Sequence, residues 1–206
     1  MFKKVMIATF LICLCAGSAM AYTCDFTAKP VVGWVPLKVT FTPTNNVPDN
    51  VLKDHCFYFW DIQMENGIYS YGEDDSQRSP KYQVTFTAPG VYDAIYKVKK
   101  LSNEKTHSIL IPIASVEKYG YIKAYACDFI ADRTLINKNN FVNFYNVGDI
   151  VGSQKYIWNF GDGYTYSGFS TTHQYKHIGK YTVTMTVKDS IIGANTIKKI
   201  KYITVV

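Results

Sequence analysis

The chain has 206 residues, 48% of them hydrophobic and 16% aromatic, with 22 Lys and Arg against 16 Asp and Glu for a formal net charge of +6. Apart from Ile197-Lys198-Lys199-Ile200-Lys201 the basic residues are scattered, which argues against a nucleic-acid binder. What remains is a soluble basic surface with some affinity for acidic polymers.

Lys3 and Lys4 precede an apolar run from Val5 to Ala16, and Ala19-Met20-Ala21 supplies an A-x-A cleavage pattern before Tyr22. This is the layout of a signal peptide over residues 1–21. The run is shorter than the roughly 20 residues a spanning helix needs, so a secreted chain with no membrane span after cleavage is expected. Loss of Lys3 and Lys4 leaves 20 basic against 16 acidic side chains. Cys24, Cys56 and Cys127 remain, an odd count that implies one bridge plus a leftover thiol, or no bridge.

Cys24-Asp25-Phe26-Thr27-Ala28 opens the next stretch and recurs as Cys127-Asp128-Phe129-Ile130-Ala131, 103 residues on (127 − 24). Val39 and Phe41 alternate with polar neighbours and match Val142 and Phe144 at the same spacing. Phe59-Trp60-Asp61 aligns with Ile157-Trp158-Asn159, and Gly90-Val91-Tyr92 with Gly179-Lys180-Tyr181. Strand signals about ten residues apart predict an all-β sandwich in each copy. The limits read as 22–116 for the first domain, 117–125 for a linker and 126–206 for the second. Val116 and Val205 would end the last strands. Trp60 and Trp158 are predicted core centres on third strands, and Tyr92 and Tyr181 are placed to tie down a corner.

The second copy is the more regular. Trp158 leads into Gly161-Asp162-Gly163, a tight turn in which glycine takes positive φ at little cost. His173-Gln174-Tyr175 follows, then Gly179-Lys180-Tyr181 and an alternation of Thr with Val183, Met185 and Val187. This run resembles the polycystic-kidney-disease (PKD) domain, whose hallmark is W-[DN]-F-G-D-G followed by H-x-Y and P-G-x-Y-x-V. Asn159 stands for the usual Asp and Ile178 for the usual Pro. The first copy keeps Pro89-Gly90-Val91-Tyr92 but reads Trp60-Asp61-Ile62-Gln63-Met64-Glu65-Asn66-Gly67 where the turn is expected. The resemblance implies two tandem immunoglobulin-like β-sandwich domains, extracellular and non-catalytic, that bind or space.

Period-two geometry sends Tyr58 inward with Trp60, and Phe57 and Phe59 outward. Tyr92, Ala94, Tyr96 and Val98 likewise turn Ile95 out. Phe57, Phe59 and Ile95 are thereby expected on one apolar outer face, either a docking surface or covered internally. The corresponding positions of the second copy hold Lys155, Ile157 and Thr184. Cys24 and Cys56 open strands at one end of the first sandwich, so a bridge between them is geometrically reasonable and leaves Cys127 alone.

Catalytic chemistry is not expected. No nucleophile elbow, Walker loop or dinucleotide fingerprint occurs. His173 and His177 have H-x3-H spacing, but on a strand and its turn, and His55 and His107 add no recognisable zinc pattern. Asp162 and Glu73-Asp74-Asp75 offer oxygens for calcium, which the family resemblance allows without requiring; turn formation and a solvated loop explain them as well. No cofactor is therefore expected. The reading is a secreted adhesion or structural module that meets a protein partner or itself at a cell surface. The alternative is a carbohydrate-binding module using Tyr69, Tyr71, Tyr164 and Tyr166, two alternating pairs after the core tryptophans.

Overall fold

A computed structural model of the chain describes residues 22–52, 56–64, 69–74, 81–101, 110–149 and 154–206. Residues 1–21, His55, Asp75 and His107 lie outside them. The first eight strands are β1 (Cys24–Lys29), β2 (Val32–Trp34), β3 (Leu37–Asn45), β4 (Cys56–Met64), β5 (Tyr69–Asp74), β6 (Tyr82–Phe86), β7 (Gly90–Leu101) and β8 (Leu110–Tyr125), with one helical turn at Asp49–Leu52. Then come β9 (Phe129–Ala131), β10 (Leu135–Ile136), β11 (Phe141–Asn146), β12 (Gln154–Asn159), β13 (Thr165–Ser167), β14 (Ser170–Gln174), β15 (Gly179–Asp189) and β16 (Gly193–Val205). Among the described residues no helix is long and apolar enough to cross a membrane.

Two sheets form from the first eight strands, in the orders β1-β3-β6 and β2-β8-β7-β4-β5. Two form from the second eight, β9-β11-β14 and β10-β16-β15-β12-β13. Strand for strand these are one topology used twice. The tryptophans therefore lie on the fourth strand of each set, because the short β2 and β10 precede them. The chain divides into two compact units, one of residues 22–31 with Pro36–Lys123 and one of Val32–Val35 with Ala124–Val206.

Each core is built on the same three rings. Phe26 meets Trp60 edge-on at 5.2 Å and 77°, and Phe129 meets Trp158 at 5.3 Å and 79°. Phe41 and Phe144 tilt against the same indoles at 5.3 and 5.8 Å. These are the offset and edge geometries aromatic quadrupoles prefer. Alternation does the placing: Val39 and Phe41, Tyr58 and Trp60, and Val183, Met185 and Val187 all point inward and are buried. Tyr92 OH donates to Ala88 O at 2.7 Å and Tyr181 OH to His177 O at 2.8 Å, so both predicted corner ties form.

Residues 117–125 are not a linker but the second half of β8. Lys118, Tyr121, Ile122 and Ala124 play the parts of Lys199, Tyr202, Ile203 and Val205, so Val116 lies mid-strand and Ala124 closes it. Both last strands take a positive φ at the corresponding place, Gly120 (56°) and Lys201 (51°), and at Lys201 the β15–β16 register shifts as in a β-bulge. A side chain of the neighbouring strand satisfies the N–H at each of these two positions: Asp93 Oδ1 accepts from Gly120 and Thr182 Oγ1 from Lys201.

Candidate functional site

The Gly161-Asp162-Gly163 turn is held by its own side chains. Asn159 Oδ1 accepts from Gly161 N at 2.9 Å, the bond an aspartate would make there. Asp162 Oδ1 accepts from Tyr164 N, and its Oδ2 lies 2.7 Å from His173 Nε2. His173 stacks on Phe160 at 3.9 Å and 2°, with the edge of Tyr175 at 4.7 Å. Gly161 has φ 82°, and a Cβ there would collide with the Thr182 carbonyl oxygen; Gly163 has φ 95° in open space. Carboxylate and imidazole are both 12% exposed. The pair clamps β14 to the turn, and Asp162 is committed to it. Among the described residues no three His, Cys, Asp or Glu side chains converge as a metal site requires.

A second device is built twice. Lys118 Nζ sits 2.8 Å from Asp25, donates to Phe26 O, and lies over the rings of Phe26 (4.5 Å) and Tyr121 (5.0 Å). Lys199 does the same with Asp128 (3.0 Å), Phe129 O, and the rings of Phe129 (4.8 Å) and Tyr202 (5.2 Å). Asp25 shows the electrostatic result. Burial pulls its carboxyl up, but the Lys118 and Phe26 N–H hydrogen bonds and the ammonium charge outweigh that and hold it below the usual carboxylate range. Sequence reasoning found the Cys-Asp-Phe half of this device and missed the lysine. The available signal was Lys118-x-x-Tyr121-Ile122 against Lys199-x-x-Tyr202-Ile203.

In the first unit Phe57 and Phe59 are half-buried and Ile95 is 8% exposed. The register sets Lys99 opposite Phe57 and Lys97 opposite Phe59, and Lys99 Nζ covers the Phe59 ring at 3.9 Å. The Phe59 ring therefore carries a cationic cover rather than lying bare. Tyr71 pairs with Asp61 and Tyr69 with Gln63 across β4 and β5.

The Cys24–Cys56 bridge is absent. Cys24 Sγ bonds Tyr96 O, and Tyr96 pairs with Trp60, four residues along β4 from Cys56, about 13 Å of strand. Cys56 Sγ bonds Val51 O. Cys24, Cys56 and Cys127 are thiols. Burial, then the neighbouring Asp25 charge, pushes the Cys24 thiol up to about 12; burial and Asp128 push Cys127 up to about 11.

Among the described residues, the second unit exposes more large apolar side chains. Tyr164 and Tyr166 are 59% and 50% exposed; Tyr164 lies 5.9 Å from the His173 ring, and Tyr166 leans over Gly168. On the outer face of the three-stranded sheet, Phe141 and Tyr145 point out from β11, with Ile130 opposite Tyr145. They are 59%, 43% and 45% exposed. Sequence reasoning passed over them, although Phe141-x-x-x-Tyr145 alternates with buried Val142 and Phe144.

Residues 127–205 match the family model of the PKD domain. A 35-residue stretch, 17% of this chain, is 57% identical to collagenase ColA of Bacillus cereus, and this chain spans only 4% of that relative. Similar solved structures include the PKD1 domain of the Vibrio cholerae metalloprotease PrtV, 28% identical over 37% of this chain and 91% of that one, TM-score 0.32. The PKD1 domain of Vibrio anguillarum Epp is 27% identical over 41% and 98%, TM-score 0.34. A carbohydrate-binding-module structure of the β-sandwich superfamily is 26% identical over 40% and 34%, TM-score 0.36. PKD domains are typically non-catalytic binding or structural modules. Residues 127–205 of this chain are a PKD domain.

Proposed function

We propose that this is a secreted, non-catalytic protein that works by binding a protein surface, that of a partner or of a second copy, outside the cell or at its boundary. The observation that carries the reading is the outward row of Ile130, Tyr145 and Phe141, three large apolar side chains about half exposed on one sheet face. Rigid aromatic rings offer much contact area at low entropy cost, the usual currency of an adhesive surface. The positively charged, apolar N-terminal pattern over 1–21 supports export, as does the PKD match. We also read 22–125 as a diverged copy of the module that fills 126–206; the shared strand order, aromatic triad and lysine device support this. The first unit's Phe57 and Phe59 are a lesser surface, since Lys99 covers one ring and Ile95, expected beside them, is buried.

The test is light scattering behind size exclusion, with and without reductant, on wild type and on Phe141→Lys and Tyr145→Lys. The reading expects assembly in wild type that survives reductant and is lost in either variant at unchanged melting temperature. Assembly unaffected by both substitutions sinks this face as the surface, and loss on reduction assigns the contact to a cysteine. A second reading, carbohydrate binding, is favoured by the exposure of Tyr164 and Tyr166. It requires saturable glycan binding that Tyr164→Ala/Tyr166→Ala abolishes.

A further inference from the structure

The outer face of the five-stranded sheet in the second unit carries a charge arrangement that folding does not explain. Lys155 on β12 and Lys188 on β15 are directly opposed across the ladder. Like charges so placed are destabilising, and cross-strand pairs of opposite charge are the ordinary solution. Neither lysine has an ion-pair partner among the described residues. Lys198 on β16 stands on the same face opposite Thr184, four residues along β15 from Lys188, about 13 Å. Between these charges runs a cross-strand hydroxyl pair, Thr186 with Thr196, oxygen to oxygen 2.9 Å.

No carboxylate answers these lysines. Of the acidic residues in 126–206, Asp128 is bound to Lys199, Asp132 to Arg133 and Asp162 to His173, and Asp149 Oδ2 accepts from Ala126 N. Asp189, next in sequence to Lys188, is turned inward and accepts from Ile191 N and Ile192 N.

We propose that this face binds a linear acidic polysaccharide, its sulfate or carboxylate groups meeting Lys155, Lys188 and Lys198 and its hydroxyls meeting the threonine side chains between them. Charge complementarity selects an anionic partner. The outward residues of β12, β15 and β16 include no aromatic ring, and without stacking platforms a single-stranded nucleic acid loses its main sequence-tolerant contact. The inference is independent of the aromatic row on the opposite sheet.

The test is affinity electrophoresis of the protein purified from expression of the full chain, in gels holding dextran sulfate, polygalacturonate, uncharged dextran or no polymer, at rising salt. Retardation is expected with one or both charged polymers, weakening with salt, and none with dextran. Sulfate-only or carboxylate-only retardation identifies the acid group. Lys155→Gln/Lys188→Gln/Lys198→Gln should weaken binding at least about tenfold, the product of three exposed ion contacts. Lys29→Gln/Lys138→Gln/Lys176→Gln removes the same charge from exposed positions elsewhere and should stay within about twofold of wild type. All six lysines are exposed, so both variants should keep the wild-type melting curve. Equal loss in the two variants would show that net charge alone is felt and overturn the proposal. So would equal retardation by uncharged dextran, no retardation by either charged polymer, or an oligonucleotide competing as well as the glycan at equal charge.

Discussion

In the first unit and the second alike, two phenylalanines flank a tryptophan, a lysine from the last strand bonds the Asp-Phe of the first, and a tyrosine hydroxyl ties the corner. They part at the turn after the tryptophan and at the surface. The second unit reverses its chain through two positive-φ glycines and clips the turn to β14 with Asp162 and His173. In the first, β4 runs on to Met64 and pairs with β5 from Tyr58 to Gln63. Charge divides just as sharply: residues 22–125 carry 11 basic and 11 acidic side chains, whereas residues 126–206 carry 9 and 5. The lesson is that packing constrains the interior of both units alike, while surface chemistry differs between them, and the charge excess lies on the second.

The comparison breaks most readily at the two tryptophans. Trp60→Ala and Trp158→Ala should each cost about 3–5 kcal/mol, with loss of hydrogen-exchange protection confined to the substituted unit. Loss of protection in both from one substitution would mean that the two cores are not separate.

The turn sharpens the difference. Gly161→Ala should cost about 2–3 kcal/mol, because a positive φ and a collision with the Thr182 carbonyl oxygen act together, and Gly163→Ala about 1 kcal/mol, because φ acts alone. Equal melting shifts would show that the Thr182 contact yields. Asp162→Ala should cost about 2 kcal/mol through the unpaired His173 and the lost bond to Tyr164 N, with His173→Ala nearly as much and the double variant less than the sum.

The lysine device should show likeness rather than difference. Lys118→Met and Lys199→Met are each expected to cost about 1 kcal/mol, by the same amount in chemical denaturation. Both Asp25 and Asp132 have folded-state carboxyls held below their usual value. Their contribution is complete above the unfolded value near 3.8 and disappears as pH falls through the lower folded one. Acid titration should therefore show no loss from these groups above about pH 5. At neutral pH Cys24 and Cys127 should resist alkylation until the protein is denatured, because burial holds both thiols protonated. Rapid modification in the native state would contradict that environment.

How much of this could be read from residues alone differs by element. Trp158, Tyr181 and the Val183–Val187 alternation identify strand, face and partner sheet together, because a period of two leaves one arrangement that buries them. Gly161-Asp162-Gly163 identifies its own turn. The end of the first module was harder. A stretch reading Glu117-Lys118-Tyr119-Gly120 looks like a linker, yet the Gly120 N–H bond to Asp93 and the Lys118 contact with Phe26 O hold it as strand, and those depend on partners 27 and 92 residues away. The Cys24–Cys56 expectation failed for a related reason. Two strands can begin at the same end of a sandwich while their first residues lie over different rungs.

By itself the sequence determined the cores around Trp60 and Trp158, the corner tyrosines and the second unit's turn. Each of these follows from local periodicity or from a conformation only glycine takes cheaply. Only the tertiary structure decided that Lys99 covers Phe59, that the three cysteines remain thiols, and that Lys155 faces Lys188. Register across a sheet pairs residues far apart in the chain, and no local pattern encodes which side chain will stand opposite which.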